Sequence, residues 1–422
     1  MAESRRLRSL YICYLSLEDP LVHTQVVAYL RGLAAAGHRI HLLTFEASRL
    51  TRSRRRRLRQ ALAADGIRWH GLRYHKRPSL PATVYDTLAG ALVSTLLVRR
   101  HALDTLHARN HVPAAMAMIA QGLLRSRRPA LIFDIRGLMA EEYEDAGRWR
   151  SGGIPSRLTK AAERAAIVRA DGIVVLTERL RSRMFGDPPA ARVEVIPCCA
   201  DLEMLSVSDD VRAQTRTELG LDGAKVMIYV GKFSGWYMAP EMAEFFQVAR
   251  GTMPDLKFLI LTQGDRDEIR LELESRGLAD AYRITSAPHD DIARYLAAAD
   301  FGISFIRPTP SKISSSPTKI GEYLGAGLPV VCTAGVGDLD ELITPQVGSL
   351  VSDHTPDSYA ATAEHLRRLL DAPETVGSCR ELARRELSLR DVGIPRYRRL
   401  YELGPADEPP RRRTSSSATL GS

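Results

Sequence analysis

Residues 314–331 read SSSPTKIGEYLGAGLPVV and pass from a helix into a strand. Ser316 followed by Pro317 is a helix-start pattern, with Ser as cap and Pro at the first helical position, and Gly327 with Pro329 marks the stop. The pattern predicts a helix of about ten residues feeding PVVCT (329–333), an unbroken apolar run of the kind buried in a parallel sheet. Lys319 then falls at the third helical position, where the helix dipole disfavours a cation. A phosphate at the helix mouth reverses that penalty, held by free amides around Ser315, Ser316 and Thr318 and by the Lys319 ammonium. Glu322 lies four residues after Thr318, on the same face. A carboxylate there repels phosphate but accepts hydrogen bonds from paired hydroxyls such as those of a ribose, and phosphate beside ribose means a nucleotide. The plainer alternative is that Lys319 snorkels into solvent and Glu322 pairs with a nearby arginine.

Outward from this stretch, strand and helix patterns alternate along the chain. LYICYLSL (10–17), RIHLLTFE (39–46), TLHA (105–108), ALIFDIRG (130–137), GIVVLT (172–177) and VEVIP (193–197) read as strands separated by helix-length segments. After a polar stretch at 201–222 the pattern restarts with KVMIYVG (225–231), LKFLILT (256–262), a strand near 282–285 and IARYLAAADFGISFI (292–306). The expected fold is α/β, two facing Rossmann-like, doubly wound parallel-sheet domains. The 422 residues suit two such cores. The predicted division is 1–200, 201–385, a helix at 386–403 returning to the first domain, and a disordered low-complexity tail at 404–422. A ligand is expected in the crevice at the carboxyl ends of the strands.

A composition of 45% hydrophobic and 26% charged residues excludes a disordered chain and an integral membrane protein. The longest nearly apolar run, LAGALVSTLLV (88–98), falls short of the roughly 20 residues that span a bilayer, so no transmembrane helix is predicted. The N-terminus enters a β-rich run without a small-residue cleavage site, which argues against secretion. Five cysteines without metal-type spacing predict neither disulfides nor zinc, as in a reducing cytoplasm. The net charge of +9 favours anionic partners. Much of it sits in RLTRSRRRRLR (49–59), where Arg52 to Arg59 suit an anionic membrane surface. Nucleic acid is disfavoured because no aromatics interleave with the arginines, and a merely solvated basic helix is the remaining reading.

The opening stretch resembles the donor-binding segment of retaining glycosyltransferases of the B-type fold, family four. LHARNHVPA (106–114), FDIRGLMAEE (133–142), VVLTERL (174–180), VIPCCADLEML (195–205) and YVGKFSGWYMAPEM (229–242) match as well, so the resemblance runs from about residue 8 to 403. It implies transfer of a sugar from a nucleotide-diphosphate donor to a hydroxyl acceptor, with retention, without cofactor or metal. The acceptor it implies is lipid-linked or a cell-surface glycan precursor, handled in the cytoplasm at the inner membrane face. Glu322 matches the second of the family's two glutamates, which binds the ribose, while the first falls at Ser314. Lys232 matches the basic residue set against the pyrophosphate. The family's second lysine in that loop is absent, and Lys319 or Lys312 stands in for it. Cys198 and Cys199 replace the usual Asn-Gly after VIP, and Asp134 and Arg136 lie where many members carry a histidine facing the sugar. His107, Arg109 and Arg136 are expected to line the cleft beside the donor, with Glu142 on the acceptor side. A nucleotide-sugar epimerase or hydrolase, or a noncatalytic binding subunit, are the rival readings.

Overall fold

The computed structural model describes residues 7–124, 128–189, 192–233, 235–264, 266–288 and 291–402. The tail expected at 404–422 lies outside them. Two all-parallel sheets organise the chain. The first takes β1 (Arg8–Cys13), β2 (Arg39–Glu46), β3 (Ile67–Arg73), β4 (Thr105–Arg109), β5 (Ala130–Asp134), β6 (Gly172–Val175) and β7 (Val193–Val195) in the order β3-β2-β1-β4-β5-β6-β7. The second takes β8 (Val226–Val230), β9 (Lys257–Leu261), β10 (Tyr282–Thr285), β11 (Phe301–Ser304), β12 (Val330–Thr333) and β13 (Gly348–Val351) in the order β10-β9-β8-β11-β12-β13. Each sheet is buried on both faces, which is why its strands read as continuous apolar runs. Along β1, Leu10 and Ile12 enter one core and Tyr11 and Cys13 the other. Each large side chain so buried contributes about 1.5–3 kcal/mol.

β3 and β13 were not predicted. β3 (IRWHGLR) is an edge strand with Arg68, His70 and Gly71 breaking its apolar pattern, and β13 has only four residues. The helix of the opening stretch spans Thr318–Ala326, nine residues, and stops at Gly327 in the left-handed region (φ 88°). Its start differs from the expectation. Pro317 is the cap residue and Ser316 does not cap, because its Oγ accepts a hydrogen bond from the Cys198 amide of the other lobe (3.0 Å). Lys319 is therefore the second helical residue.

Two helices of the first lobe also depart from their sequence reading. In the arginine helix (Arg52–Ala64), Leu62 and Leu58 turn into the core, so the outward face is left to the arginines. The long helix Ser79–His101 has 23 residues and an 18-residue stretch of mean hydropathy 1.3, long and apolar enough by length and composition to cross a membrane. Asp86 hid it by interrupting the run. One side of this helix packs on the sheet through Ala91, Leu97 and Val98. At the far end of the chain, helix Ile394–Glu402 lies on the opposite face of the first sheet and buries Tyr397, Leu400 and Tyr401 there.

Candidate active site

Where the strand ends of the two lobes face each other lies a cavity of about 400 Å³. The first lobe contributes Cys13, Tyr14, Arg109, Asn110, Arg136 and Cys198, and the second Trp236, Tyr237, Lys312, Ser315, Ser316, Pro317 and Thr318. Parallel topology explains the placement: β1, β4 and β5 all end here, so Cys13, Arg109 and the residues after Asp134 emerge together. Asn110, held at φ 76°, turns the chain at the rim and caps the next helix through its Oδ1. The mouth of helix Thr318–Ala326 opens on the same cavity without a side-chain cap, leaving its first amides to a ligand.

Beneath the cavity sits Asp134, fully buried. Its Oδ2 accepts from Tyr397 (2.8 Å) and Tyr11 (3.4 Å), and Oδ1 is 3.6 Å from Arg136. Burial alone pushes this carboxyl up, but Arg136, His107 and Arg109 outweigh it and hold it well below the usual carboxylate range. Arg136 in turn donates to Gln25 (3.3 Å) and to Cys198 Sγ (3.4 Å), which gives the cysteine after VIP a physical role as a guanidinium neighbour. Arg109 is 6% exposed, and its Nε has no hydrogen-bond partner among the described residues.

His107 does not line the cleft. It is fully buried, with Nδ1 2.9 Å from the Tyr401 hydroxyl and Nε2 3.6 Å from Asp134, and burial pushes its pKa down, so it is neutral. The reason is strand depth. His107 and Arg109 share a face of β4, but only the residue at the strand end reaches the cavity, and His107 lies about 6.6 Å back under the C-terminal helix.

Lys319 points neither to solvent nor along the helix mouth. It turns inward, 4% exposed, with Nζ 3.9 Å from the Tyr237 ring centre and 4.3 Å from that of Tyr229. Nζ has no hydrogen-bond partner among the described residues. It rests against Gly231 (φ 145°), where an added Cβ would come within 3.2 Å of it. Burial lowers its pKa to about 7 despite the pull of Glu322. Burial likewise raises Glu322 to about 7, against the pull of Lys319. Glu322 lines a second cavity, about 310 Å³, together with Gln25, Cys199, Asp201, Ile292 and Ala293. The Arg136–Gln25 hydrogen bond stands between the two cavities.

Lys312 closes the interlobe contact: its Nζ is 3.2 Å from Glu142 Oε1 and 3.7 Å from the Trp236 ring centre. Glu142 is thus an interlobe ion-pair partner. Lys232 is exposed on the loop after β8 and lines neither cavity, its stem lying against Gly264. Ser314, at the place of the family's first glutamate, is fully buried and accepts from the Leu138 amide of the first lobe (3.3 Å). Sequence reasoning missed Gln25, Trp236 and Tyr237. The signal for the last two is the Trp-Tyr pair in the Gly-loop GKFSGWYMAP (231–240).

Two Rossmann-like parallel-sheet lobes facing each other across a cleft are the arrangement of the GT-B fold class. Residues 22–199 match the Glycosyl transferase 4-like domain and 224–371 match Glycosyl transferases group 1, so the chain belongs to the GT-B glycosyltransferases. No curated protein matches it in sequence. Among solved structures it is similar to a glycosyltransferase from Rickettsia africae (12% identity, 94% of this chain and 98% of that one, TM-score 0.70). It is similar also to sucrose-phosphate synthase from Thermosynechococcus elongatus (18% identity, 94% and 100%, TM-score 0.69). A third is HepE from Anabaena in complex with UDP and glucose (14%, 94% and 100%, TM-score 0.68).

Proposed function

We propose that the protein transfers a hexose from a nucleoside-diphosphate sugar to a hydroxyl on a lipid-linked or surface-glycan precursor, with retention, at the inner face of the membrane. The observation that carries this reading is a set of buried cationic donors: Arg109 and Arg136 line the cavity, Lys319 sits against Tyr237 of its lining, and Arg109 Nε, Arg136 Nη1 and Lys319 Nζ lack hydrogen-bond partners among the described residues. Buried donors of this kind call for an anion, and a diphosphate supplies it. In this reading Glu322, in the adjoining cavity, takes the ribose hydroxyls and the sugar enters the larger cavity. The HepE complex with UDP and glucose supports the donor class.

Retention is what the resemblance to retaining enzymes implies, and the described lining of the cavity of about 400 Å³ carries cations. The bond from the anomeric carbon to the diphosphate breaks as the acceptor oxygen bonds on the same face, and the acceptor proton passes to the leaving phosphate oxygen. Arg109, Arg136 and Lys319 stabilise the charge that develops there, and this neutralisation makes a metal unnecessary. The test is incubation with a panel of nucleotide sugars and membrane-lipid extract, with the anomeric configuration of the product read by NMR. Donor binding without turnover on any acceptor or water would leave the binding-subunit reading instead, and an altered free nucleotide sugar would make it an epimerase.

A further inference from the structure

We propose that the outer face built by three helices of the first lobe docks on an anionic lipid bilayer. The long helix Ser79–His101 and helices His111–Leu123 and Ile154–Arg169 contribute to the core on one side of the first sheet. Along the long helix, Leu80, Val84, Leu88, Leu92 and Leu96 recur every four residues and are 51–75% exposed. Such spacing makes a continuous ridge on a helix about 35 Å long. Leu123 on the second helix and Leu158 and Val168 on the third are also more than half exposed. Side chains of this size are seldom left in water in such number on one face.

Charge identifies the occupant. These three helices contain two acidic residues, Asp86 and Glu163, and both turn inward: Asp86 accepts from Tyr14 (2.8 Å), and Glu163 lies 2.7 Å from His111 Nε2. The outward cations include Arg99 and Arg100 at the end of the ridge and Arg157, Arg164 and Arg169 on the third helix, all exposed. An apolar ridge flanked by arginines, with both acids turned away, fits acyl chains bordered by anionic headgroups. It does not fit a second copy of itself, which would set arginines against arginines. The arginine helix packs on the opposite side of the sheet with its leucines inward, and so has no apolar surface to insert.

The ridge leads to the active site. Tyr14 lines the larger cavity and bonds to Asp86 in the long helix, one residue from exposed Tyr85. A lipid-anchored acceptor therefore enters beside Tyr14 while its tail stays in the bilayer. This names the surface for the membrane placement proposed above and is independent of the donor assignment.

The test is flotation of the full chain with vesicles of phosphatidylcholine and phosphatidylglycerol (3:1). Leu88→Gln, Leu92→Gln and Leu96→Gln together are expected to lower partition at least tenfold, with the UDP-induced thermal shift unchanged. Arg52→Gln, Arg56→Gln and Arg59→Gln together are expected to lower it less than threefold. In a second variant, Tyr85→Trp, the indole emission should shift to the blue on vesicle addition and be quenched by brominated lipid. Flotation of the leucine variant equal to wild type overturns the proposal. So does an unquenched indole, or a wild type that ignores vesicles and forms a dimer that the leucine changes dissolve.

Discussion

Replacing Lys319 with methionine should make the unliganded protein more stable and its donor binding weaker. A lysine whose pKa falls from 10.5 to about 7 carries a charging cost of at most about 5 kcal/mol in the folded state, at about 1.4 kcal/mol per pH unit. Some of this is already relieved by the two tyrosine rings, so a net gain of about 1–3 kcal/mol is expected at pH 6. The sign follows from linkage. Between about pH 7 and 10.5 the unfolded chain binds the proton and the folded chain does not, so wild-type stability rises with pH across that window. The advantage of Lys319→Met is therefore full below pH 7 and fades toward pH 10. Glu322, with its pKa raised to about 7, is mostly protonated at pH 6 and adds little there. A diphosphate beside Nζ restores the proton, so wild-type affinity for UDP should fall up to tenfold per pH unit above pH 7, and the variant should show a flat profile. Urea melts and calorimetry across pH 6–9 measure both. A wild-type affinity independent of pH, with a variant no more stable at pH 6, would refute a buried lysine waiting for an anion.

Glu322→Ala should weaken nucleotide-sugar binding by about 1–3 kcal/mol by calorimetry, and unchanged affinity in a folded variant would remove the ribose role. His107→Phe should cost about 1–3 kcal/mol of stability through loss of the Tyr401 and Asp134 contacts, while leaving kcat within about twofold. A hundredfold loss of kcat at unchanged stability would return His107 to the chemistry. Arg136→Met strips Asp134 of its main counter-charge and should cost about 3–5 kcal/mol at pH 7. Because Asp134 is held below its unfolded value, that deficit should shrink as pH falls toward about 4 and below, as followed by urea melts.

The parallel sheets were legible because strands covered on both faces leave unbroken runs such as GIVVLT and PVVCT. β3 escaped because an edge strand can afford Arg68 and His70. The helix mouth was legible too, since Ser315 to Thr318 are consecutive and their placement follows from the helix alone. The fate of Lys319 was not, because its surroundings come from Tyr229 at the end of a strand and Tyr237 in a distant loop, and because the helix begins one residue later than Ser-Pro suggests. Gln25 was equally hidden, since it sits in a π-helical turn (His23–Val27) that no periodicity announces.

Tyr397 and Tyr401, which hydrogen-bond to Asp134 Oδ2 and His107 Nδ1, come from the last helix of the described chain. During synthesis the first lobe therefore leaves the ribosome before the helix that covers this carboxylate and imidazole has been made. It becomes a finished domain only after the second lobe has been translated. A fragment ending near residue 200 should accordingly be far less soluble than the same lobe supplied with a peptide covering 388–402, and the two halves are better regarded as one folding unit than as two beads on a string.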